Sequence, residues 1–311
     1  MVVLSSAHRM TDRLQTAWLI GVALLVGCSP GGESVTVYTS QDQVYAEPIL
    51  RRFEQETGVR VRAVYDSEVV KTVGLINRLI AEKNRPRCDL FWNNEAFRTH
   101  QLTARGVLAA DEPIESFGAR TRQWVWNTNR LGRTELPPSL AALTNAQWRG
   151  RVAIALPLFG STATHFQVLR QRWGAARWQA WCRALLANGV MTVDGNSVVV
   201  QLVGRGEVAL GLTDSDDVRV GLRNGLPIAG KPLGQDGMAI RNTLGHIRGA
   251  PHPGLARRLA EFLQSPAVRS ALVEAGAIDP GEIPATGVIA WPSLVEANGQ
   301  AVSELQSIFL D

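Results

Sequence analysis

The chain has 311 residues, of which 45% are hydrophobic and 19% charged, and this balance is typical of a globular protein with about two domains. Its formal net charge is only +4 at pH 7 and no run of Lys or Arg stands out, so the sequence indicates no nucleic-acid partner. No internal repeat appears, and the one flexible-looking segment is a short polar stretch near the N-terminus.

Residues 1–27 have the pattern of a secretion signal. Two arginines precede an apolar run from Ala17 to Val26, which is too short to cross a membrane as a helix. The run ends in Leu-Val-Gly-Cys, which resembles the lipobox of bacterial lipoproteins, whose cysteine is diacylated and becomes the first mature residue. We therefore predict a cleaved signal, a lipid anchor on Cys28 and a tether over residues 28–34, with an ordinary cleaved signal as the alternative.

The first part of the mature chain alternates between predicted strands and helices. Short β-rich or buried runs are separated by stretches with an apolar face at helical spacing. The predicted order is strand 35–38, helix 44–57, strand 59–65, helix 69–84 and strand 88–92, with a further helix after a polar loop at 93–95. Because this alternation implies parallel strands with crossover helices, it predicts a parallel sheet.

The rest of the chain continues this alternation. The predicted order is strand 124–129, strand 152–155, helices 164–173 and 177–188, strand 192–193, helix 196–205, strand 208–212, strands 228–230 and 237–240, and helices 253–264 and 265–275.

Extended crossings near Trp124 and Ile228 join two βα units. We therefore predict an α/β protein of two lobes, each a mixed, mostly parallel sheet flanked by helices, with a ligand cleft between them. Lobe 1 is predicted to be discontinuous, comprising residues 35–124 and 230–311, and lobe 2 is predicted to span residues 125–229.

Three aspartates follow a predicted strand within four residues. The apolar run Val208–Leu212 leads into Asp214, Asp216 and Asp217. Ligand groups of α/β proteins lie beyond the carboxyl ends of the strands, and neighbouring carboxylates repel each other unless a positive group lies between them. The cluster therefore indicates a cation site, while a solvated acidic loop or a helix N-cap is the alternative.

The two remaining cysteines, Cys88 and Cys182, lie beside apolar residues and far apart in the sequence. This context favours two free, buried thiols over a disulfide or a metal pair.

Several segments together resemble the ferric-iron-binding group of bacterial ABC-transporter solute-binding proteins, which have the type II periplasmic-binding-protein fold. Their order and spacing carry the resemblance over nearly all of the mature chain. The segments are Val35–Ser40, Phe53–Val59, Cys88–Trp92, Trp148–Ile154, Pro157–His165, Gly206–Leu212 and Gly249–Pro253.

The resemblance implies a metal site built from a His in the first loop, a Glu after the third strand and two adjacent Tyr after a later strand. In this chain these positions hold Asp42, then Asn94 with Glu95 beside it, and finally Asp216 and Asp217, so the phenolate pair is absent. We predict that these five residues bind a hard cation, with ferric iron as the first candidate, because carboxylate oxygens suit hard cations.

The resemblance also implies an adjoining site for a synergistic anion such as phosphate or carbonate. Its residues here are Ser161, Thr162 and Ala163 at one helix start and Asn196 at another, and Asp214 is assigned to the same site. Free N–H groups and the helix dipole favour an anion at a helix N-terminus, although plain N-capping explains Ser161 and Thr162 equally well.

The sequence predicts a binding protein without catalytic residues and without a resident cofactor. Ser215 has no His close to it in the sequence, and neither a nucleophile elbow nor an HExxH motif is present. We predict a monomeric, exported lipoprotein, in the periplasm or at the cell surface, that closes on its ligand and delivers it to an ABC permease with its ATPase. The alternative cargo is a small zwitterionic or anionic organic solute such as an aminophosphonate, without a metal.

Overall fold

The computed structural model describes residues 32–65, 73–282 and 289–310. The predicted signal peptide and Cys28 lie outside these residues, as does most of the predicted tether. The strands are β1 Ser34–Thr39, β2 Arg60–Tyr65, β3 Leu90–Asn93, β4 Glu115–Asn127, β5 Val152–Ala155, β6 Met191–Val193, β7 Leu210–Asp214, β8 Ile228–Pro232 and β9 Ala239–His246.

The helices alternate with these strands along most of the chain. They are α1 Gln43–Thr57, α2 Val73–Ala81, α3 Ala96–Ala104, α4 Gly160–Trp173, α5 Ala175–Ala187, α6 Asn196–Arg205, α7 Ser215–Arg223, α8 Pro253–Leu263, α9 Pro266–Ala275, α10 Trp291–Glu296 and α11 Asn298–Phe309.

The strands form one hydrogen-bonded path in the order β2-β1-β3-β9-β4-β7-β5-β6, and β8 also pairs with β4. Strand β1 is parallel to β2 and β3, and β5 is parallel to β6 and β7, as the βα alternation predicts. Strands β9 and β4 are antiparallel to their neighbours and connect the two parallel groups. The predicted α/β fold with mixed, mostly parallel sheets is therefore confirmed.

Strand β4 is the link between the two groups. Its residues 115–121 pair with β9, whereas residues 122–127 pair with β7 and β8. The strand predicted at 124–129 is only the second half of this longer strand. The sequence prediction missed the first half because Arg120 and Arg122 interrupt the apolar pattern, and both side chains are nevertheless buried.

Each parallel group has its own apolar core. Val37, Phe53 and Trp92 belong to the core around β1 and β3, and Ile154 and Trp178 belong to the core around β5 and β7. All five side chains are fully buried, so helices on both faces exclude water from each sheet.

The C-terminal helix α11 packs against the second core, where Leu305 and Ile308 join the cluster that contains Trp178. A bidentate pair between Arg170 of α4 and Glu304 of α11 reinforces this contact at 2.7 and 2.9 Å. The sequence prediction assigned the residues of α11 to lobe 1, whereas α11 lies against this second core. The lobe boundaries themselves remain a prediction.

Cys88 and Cys182 are buried and free, which confirms the prediction for them. No helix in the described part of the chain combines the length and the apolar character that a membrane crossing requires.

Candidate functional site

A cavity of about 450 Å³ lies between the loops that follow β1 and β3 and the starts of α4, α6 and α7. We call it the central cavity. Nine of the ten residues predicted as metal or anion ligands line it: Asp42, Asn94, Glu95, Ser161, Thr162, Asn196, Asp214, Asp216 and Asp217. The tenth, Ala163, is not part of this lining, and its amide donates to the Phe159 carbonyl at 3.1 Å within α4.

Asp214 lies at the end of β7, directly opposite Arg122 in the antiparallel register with β4. Arg122 Nη1 donates to Asp214 Oδ1 at 2.6 Å, and neither side chain is more than 3% exposed. Arg120, two residues earlier on the same face of β4, places Nη2 at 3.6 Å from Asp214 Oδ2 and Nε at 3.3 Å from Asp216 Oδ2. Two guanidinium groups therefore compensate the charge of Asp214.

Sequence reasoning did not identify these two arginines. One signal was available, because two charged residues at i and i+2 immediately before the apolar Trp124–Trp126 segment lie on one face if the strand begins earlier. Their partners are 92 and more residues away, so the ion pairs themselves have no local signature.

Asp216 and Asp217 lie in the first turn of α7, where the helix dipole favours negative charge. One carboxylate oxygen from each of Asp214, Asp216 and Asp217 lies within 4.8 Å of the others. Burial raises the pKa of Asp216 to about 6, with Asp214 adding to the rise and Arg120 opposing it. Burial followed by repulsion from Asp216 raises the pKa of Asp217 well above its usual range. The ionised cluster is therefore under electrostatic strain.

Arg120 carries the opposite charge within this cluster. Burial alone would lower the pKa of the Arg120 guanidinium, but Asp216, Asp214, Asp217 and Asp42 outweigh burial and raise it further. Arg120 therefore stays protonated, and it offsets only part of the negative charge around it.

The loops after β1 and β3 contribute Asp42, Asn94 and Glu95 to the lining of the cavity. Asp42 immediately precedes α1 and is near enough to Arg120 to act on it electrostatically. Glu95 is buried, and its Oε1 accepts a hydrogen bond from the Phe97 amide at 2.9 Å, so it caps α3. Burial raises the pKa of Glu95. The cap engages one oxygen of Glu95, whereas Asp42 makes no side-chain cap bond to α1.

The starts of α4 and α6 form the third part of the wall. Ser161 Oγ donates to Asp214 Oδ2 at 2.7 Å, and Thr162 Oγ1 donates to Asn196 Oδ1 at 3.2 Å. Asn196 Nδ2 in turn donates to Ser161 Oγ at 3.2 Å. Phe159 occupies the N-cap position, so the two hydroxyls bond to neighbouring side chains instead of capping the helix.

The lining of the central cavity is strongly acidic. Six carboxylates and one guanidinium line it: Asp42, Glu95, Asp194, Asp214, Asp216, Asp217 and Arg120. Asp194, which sequence reasoning did not select, is exposed at the rim. This excess of carboxylates favours a guest with positive charge, because carboxylates that are close together in a partly dry cavity repel each other and a cation relieves that repulsion.

Two polar side chains near the cavity have structural roles. Burial, with Arg122 adding to it, lowers the pKa of His165 to about 3, and His165 Nε2 contacts the Asp236 carbonyl at 2.7 Å. Ser215 Oγ donates to Asp279 at 2.6 Å and accepts from the Thr121 amide at 3.1 Å. Neither forms a nucleophile–base pair.

A family model described as bacterial extracellular solute-binding protein matches residues 35–277. The major ferric iron-binding protein of Neisseria meningitidis serogroup A is 23% identical to the chain over 211 residues, which is 62% of this chain and 62% of that relative. The match thus spans less than two thirds of the curated relative's length.

Two solved structures have the same fold. Iron-bound HitA from Pseudomonas aeruginosa has a TM-score of 0.75 at 20% identity, over 89% of this chain and 99% of HitA. AfuA from Actinobacillus pleuropneumoniae, with fructose-6-phosphate bound, has a TM-score of 0.72 at 17% identity, over 90% of this chain and 99% of AfuA. These likenesses confirm the predicted type II periplasmic-binding-protein fold.

Proposed function

Because the chain belongs to the bacterial extracellular solute-binding proteins, we propose that it is the extracytoplasmic binding component of an ABC importer. The proposed cargo is a hard metal cation, with ferric iron as the first candidate. The observation that carries the proposal is the six carboxylates around the central cavity against one lining guanidinium. The relatives that bind ferric iron support the choice of cation.

Asp216 and Asp217 are the principal proposed ligands, and Asp42 and Asn94, which line the same cavity, are the further proposed ligands. Asp216 Oδ1 is buried and has no hydrogen-bond partner among the residues that the structure describes, which leaves an oxygen to coordinate a cation. Carboxylate and amide oxygens are suitable ligands for a trivalent hard cation. Burial, with repulsion from neighbouring aspartates adding to it, raises the pKa of both residues, and a bound cation would offset this cost of ionisation. Closure of the two sides on the cation completes the proposed capture.

The family resemblance implies a companion anion, phosphate or carbonate, at the starts of α4 and α6, and the proposed binding of a cation does not itself require one. Free backbone N–H groups at a helix start suit an anion. The side-chain donors there are already engaged with Asp214 and Asn196. Binding is therefore to be measured both with and without each anion.

The second candidate cargo is a small organic zwitterion or anion, such as an aminophosphonate, bound without a metal. The buried Arg120 and Arg122 favour it, because they bring positive charge next to the carboxylates. AfuA, which shares the fold, has a sugar phosphate bound. An ammonium group would lie at Asp216 and Asp217 and a phosphonate group near Arg120.

We propose that residues 1–27 are removed and that a diacylated Cys28 anchors the protein to the membrane. The proposed partner of the monomer is an ABC permease with its ATPase. Incorporation of a labelled fatty acid into the parent and its loss in Cys28→Ser tests the anchor. Labelling of Cys28→Ser as strong as that of the parent contradicts it.

The cargo is tested by titrating the chelator-stripped protein with ferric iron, Mn²⁺, Ca²⁺ and aminoethylphosphonate, with tryptophan fluorescence as the signal. We expect the double variant Asp216→Ala/Asp217→Ala to lose at least about 100-fold in ferric affinity, more than outer-shell changes cost at metal sites. Asp111→Asn, which changes an exposed aspartate outside the cavity, is the matched control. Undiminished ferric binding by the double variant ends the metal proposal, and tight aminoethylphosphonate binding without metal favours the second candidate.

A further inference from the structure

We propose that the carboxylate of Asp214 is a resident anion of the cargo site, which takes the place of the free phosphate or carbonate that the family resemblance implies. This inference rests on the proposed function, because it concerns how the same cavity holds a cation. Its consequence is that the protein binds its cation without a free companion anion.

The contacts of the Asp214 carboxylate are those expected for an anion in a dedicated binding site. Its Oδ1 accepts from Arg122 Nη1 at 2.6 Å, and its Oδ2 accepts from Ser161 Oγ at 2.7 Å. Arg120 Nη2 lies at 3.6 Å from the same Oδ2. The side chain is only 3% exposed, so charge-assisted contacts from β4 and α4 replace its water shell.

The side-chain donors assigned to a free anion are already in use. A hydroxyl has one proton to donate. Ser161 donates that proton to Asp214, and Thr162 donates its proton to Asn196 Oδ1. Asn196 Nδ2 donates to Ser161 Oγ. Ser161 and Thr162 would therefore have to break these bonds before either hydroxyl could donate to a phosphate.

The tethered carboxylate also has an entropic advantage. Asp214 is part of the chain, so it loses no translational freedom on occupying the site, whereas a free anion does. A phosphate would also lie beside the oxygens of Asp214, Asp216 and Asp217, which are within 4.8 Å of one another, and it would be repelled by them.

The three aspartates therefore divide into two roles. Asp214 accepts hydrogen bonds and balances the charge of Arg122, whereas Asp216 Oδ1 is buried and finds no hydrogen-bond partner within the described part of the chain. Asp217 Oδ2 accepts a long bond from Thr213 Oγ1, at 3.3 Å. Asp216 and Asp217 remain available to the cation, and Asp214 supplies the fixed negative charge behind them.

The test compares ferric affinity in a buffer free of phosphate and carbonate with affinity in an excess of each anion. Three full-length proteins are compared: the parent, Asp214→Asn and Asp214→Glu. Ferric iron is added to each as its nitrilotriacetate complex. We expect the anions to change the affinity of the parent and Asp214→Glu by less than about twofold. In Asp214→Asn we expect phosphate to raise the ferric affinity at least about fivefold, because Arg122 and Ser161 then lack an anionic partner. A change of this size is typical of two ligands whose binding is coupled.

A second measurement uses no metal. The phosphorus NMR signal of inorganic phosphate should stay unchanged with the apo parent and broaden with Asp214→Asn. Circular dichroism establishes whether Asp214→Asn folds, and if it does not, the anion dependence of the parent alone decides.

A parent whose ferric affinity rises fivefold or more with phosphate or carbonate overturns the inference, as does phosphate binding by the apo parent. If no variant binds iron in any buffer, the proposed cargo is wrong, while the phosphate measurement still tests the role of Asp214.

Discussion

Arg120 acts as the counter-ion of the acidic cluster when no cargo is present. Its guanidinium contacts Asp214 and Asp216 and is 9% exposed, so its charge is little screened by water. It cannot satisfy both of the carboxylates at the start of α7, and burial raises the pKa of Asp216 to about 6 and that of Asp217 well above its usual range. An arriving cation supplies the charge that Arg120 leaves uncompensated.

This charge arrangement predicts that Asp216→Asn stabilises the cargo-free protein. The folded pKa of about 6 lies above the ordinary value of 3.8, so ionisation of Asp216 at neutral pH opposes folding. We expect a gain in the free energy of unfolding of about 1–3 kcal/mol at pH 7.5, since one pKa unit corresponds to about 1.4 kcal/mol. The gain should shrink as the pH falls through 6 and vanish below the ordinary value. Urea unfolding at several pH values measures it.

The comparison with the parent at each pH is essential. Burial also lowers the pKa of His100 to about 4 and that of His165 to about 3, so acid destabilises parent and variant alike through these histidines. Asp111→Asn should leave stability unchanged over the same range. If Asp216→Asn is less stable than the parent at pH 7.5, the prediction is wrong. The loss of the ion pair with Arg120 would then cost more than is gained by no longer burying a charged carboxylate.

At the level of elements, the junction between β7 and α7 fixes the cluster. The strand ends at Asp214 and the helix begins at Ser215, with no loop between them. A strand end and a helix start without an intervening loop leave the carboxylates little freedom to move apart. The position of β7 between β4 and β5 therefore determines the geometry of the site.

Gly211→Ala tests this dependence. A Cβ at this position would lie 2.4 Å from Val199 Cγ1 and 3.2 Å from both the Ala153 carbonyl oxygen and Val125 Cγ1. We expect a loss of about 1–3 kcal/mol in stability from overpacking, with weaker cargo binding because the end of β7 shifts. Chemical unfolding and the ferric titration measure the two effects.

Gly254→Ala is the control for that substitution. It lies in α8, and no atom lies within 4 Å of its Cβ position. Its stability should be unchanged or higher by up to about 1 kcal/mol, because Ala favours a helix over Gly. If Gly211→Ala and Gly254→Ala have the same stability and the same ferric affinity, β7 tolerates displacement and the prediction is wrong.

At the level of the whole molecule, Asp279 joins the two parallel groups beside β4. Its Oδ1 accepts from Ser215 Oγ and from Arg219 Nη1, each at 2.6 Å, and its Oδ2 accepts from Thr121 Oγ1 at 2.8 Å. Arg219 also donates to the Gly276 carbonyl at 2.9 Å. One carboxylate thus ties the start of α7 to β4 and to the loop after α9.

We predict that Asp279→Asn lowers both stability and cargo affinity. It removes a charge-assisted bond to Arg219, which is worth about 1.5–3 kcal/mol, and it frees the start of α7 that carries Asp216 and Asp217. Thermal unfolding and the ferric titration report the two effects.

Glu112→Gln is the control for Asp279→Asn. It breaks a pair with Arg257, whose side chain is 56% exposed, and pairs of this kind contribute about 0–1 kcal/mol. Wild-type affinity in a destabilised Asp279→Asn protein would restrict Asp279 to a purely structural role.

The sequence by itself determined most of the βα alternation and the region of the site, although the first half of β4 and the helices α7, α10 and α11 were not predicted. Helical and strand periodicity are local, so the βα alternation was visible, and it indicated a ligand site at the end of β7. The family resemblance added the starts of α4 and α6. The nine predicted residues that line the central cavity were found in this way and through the family resemblance.

Only the tertiary structure decided which charges meet. Arg122 opposes Asp214 because of the register between β4 and β7, and Asp279 reaches Ser215 across 64 residues. Register and long-range packing depend on the whole chain and leave no local pattern, so neither contact could be predicted. The same contacts changed the interpretation of Asp214 from a ligand of a free anion to an anion already in its site, because its donors come from elements that are distant in the sequence.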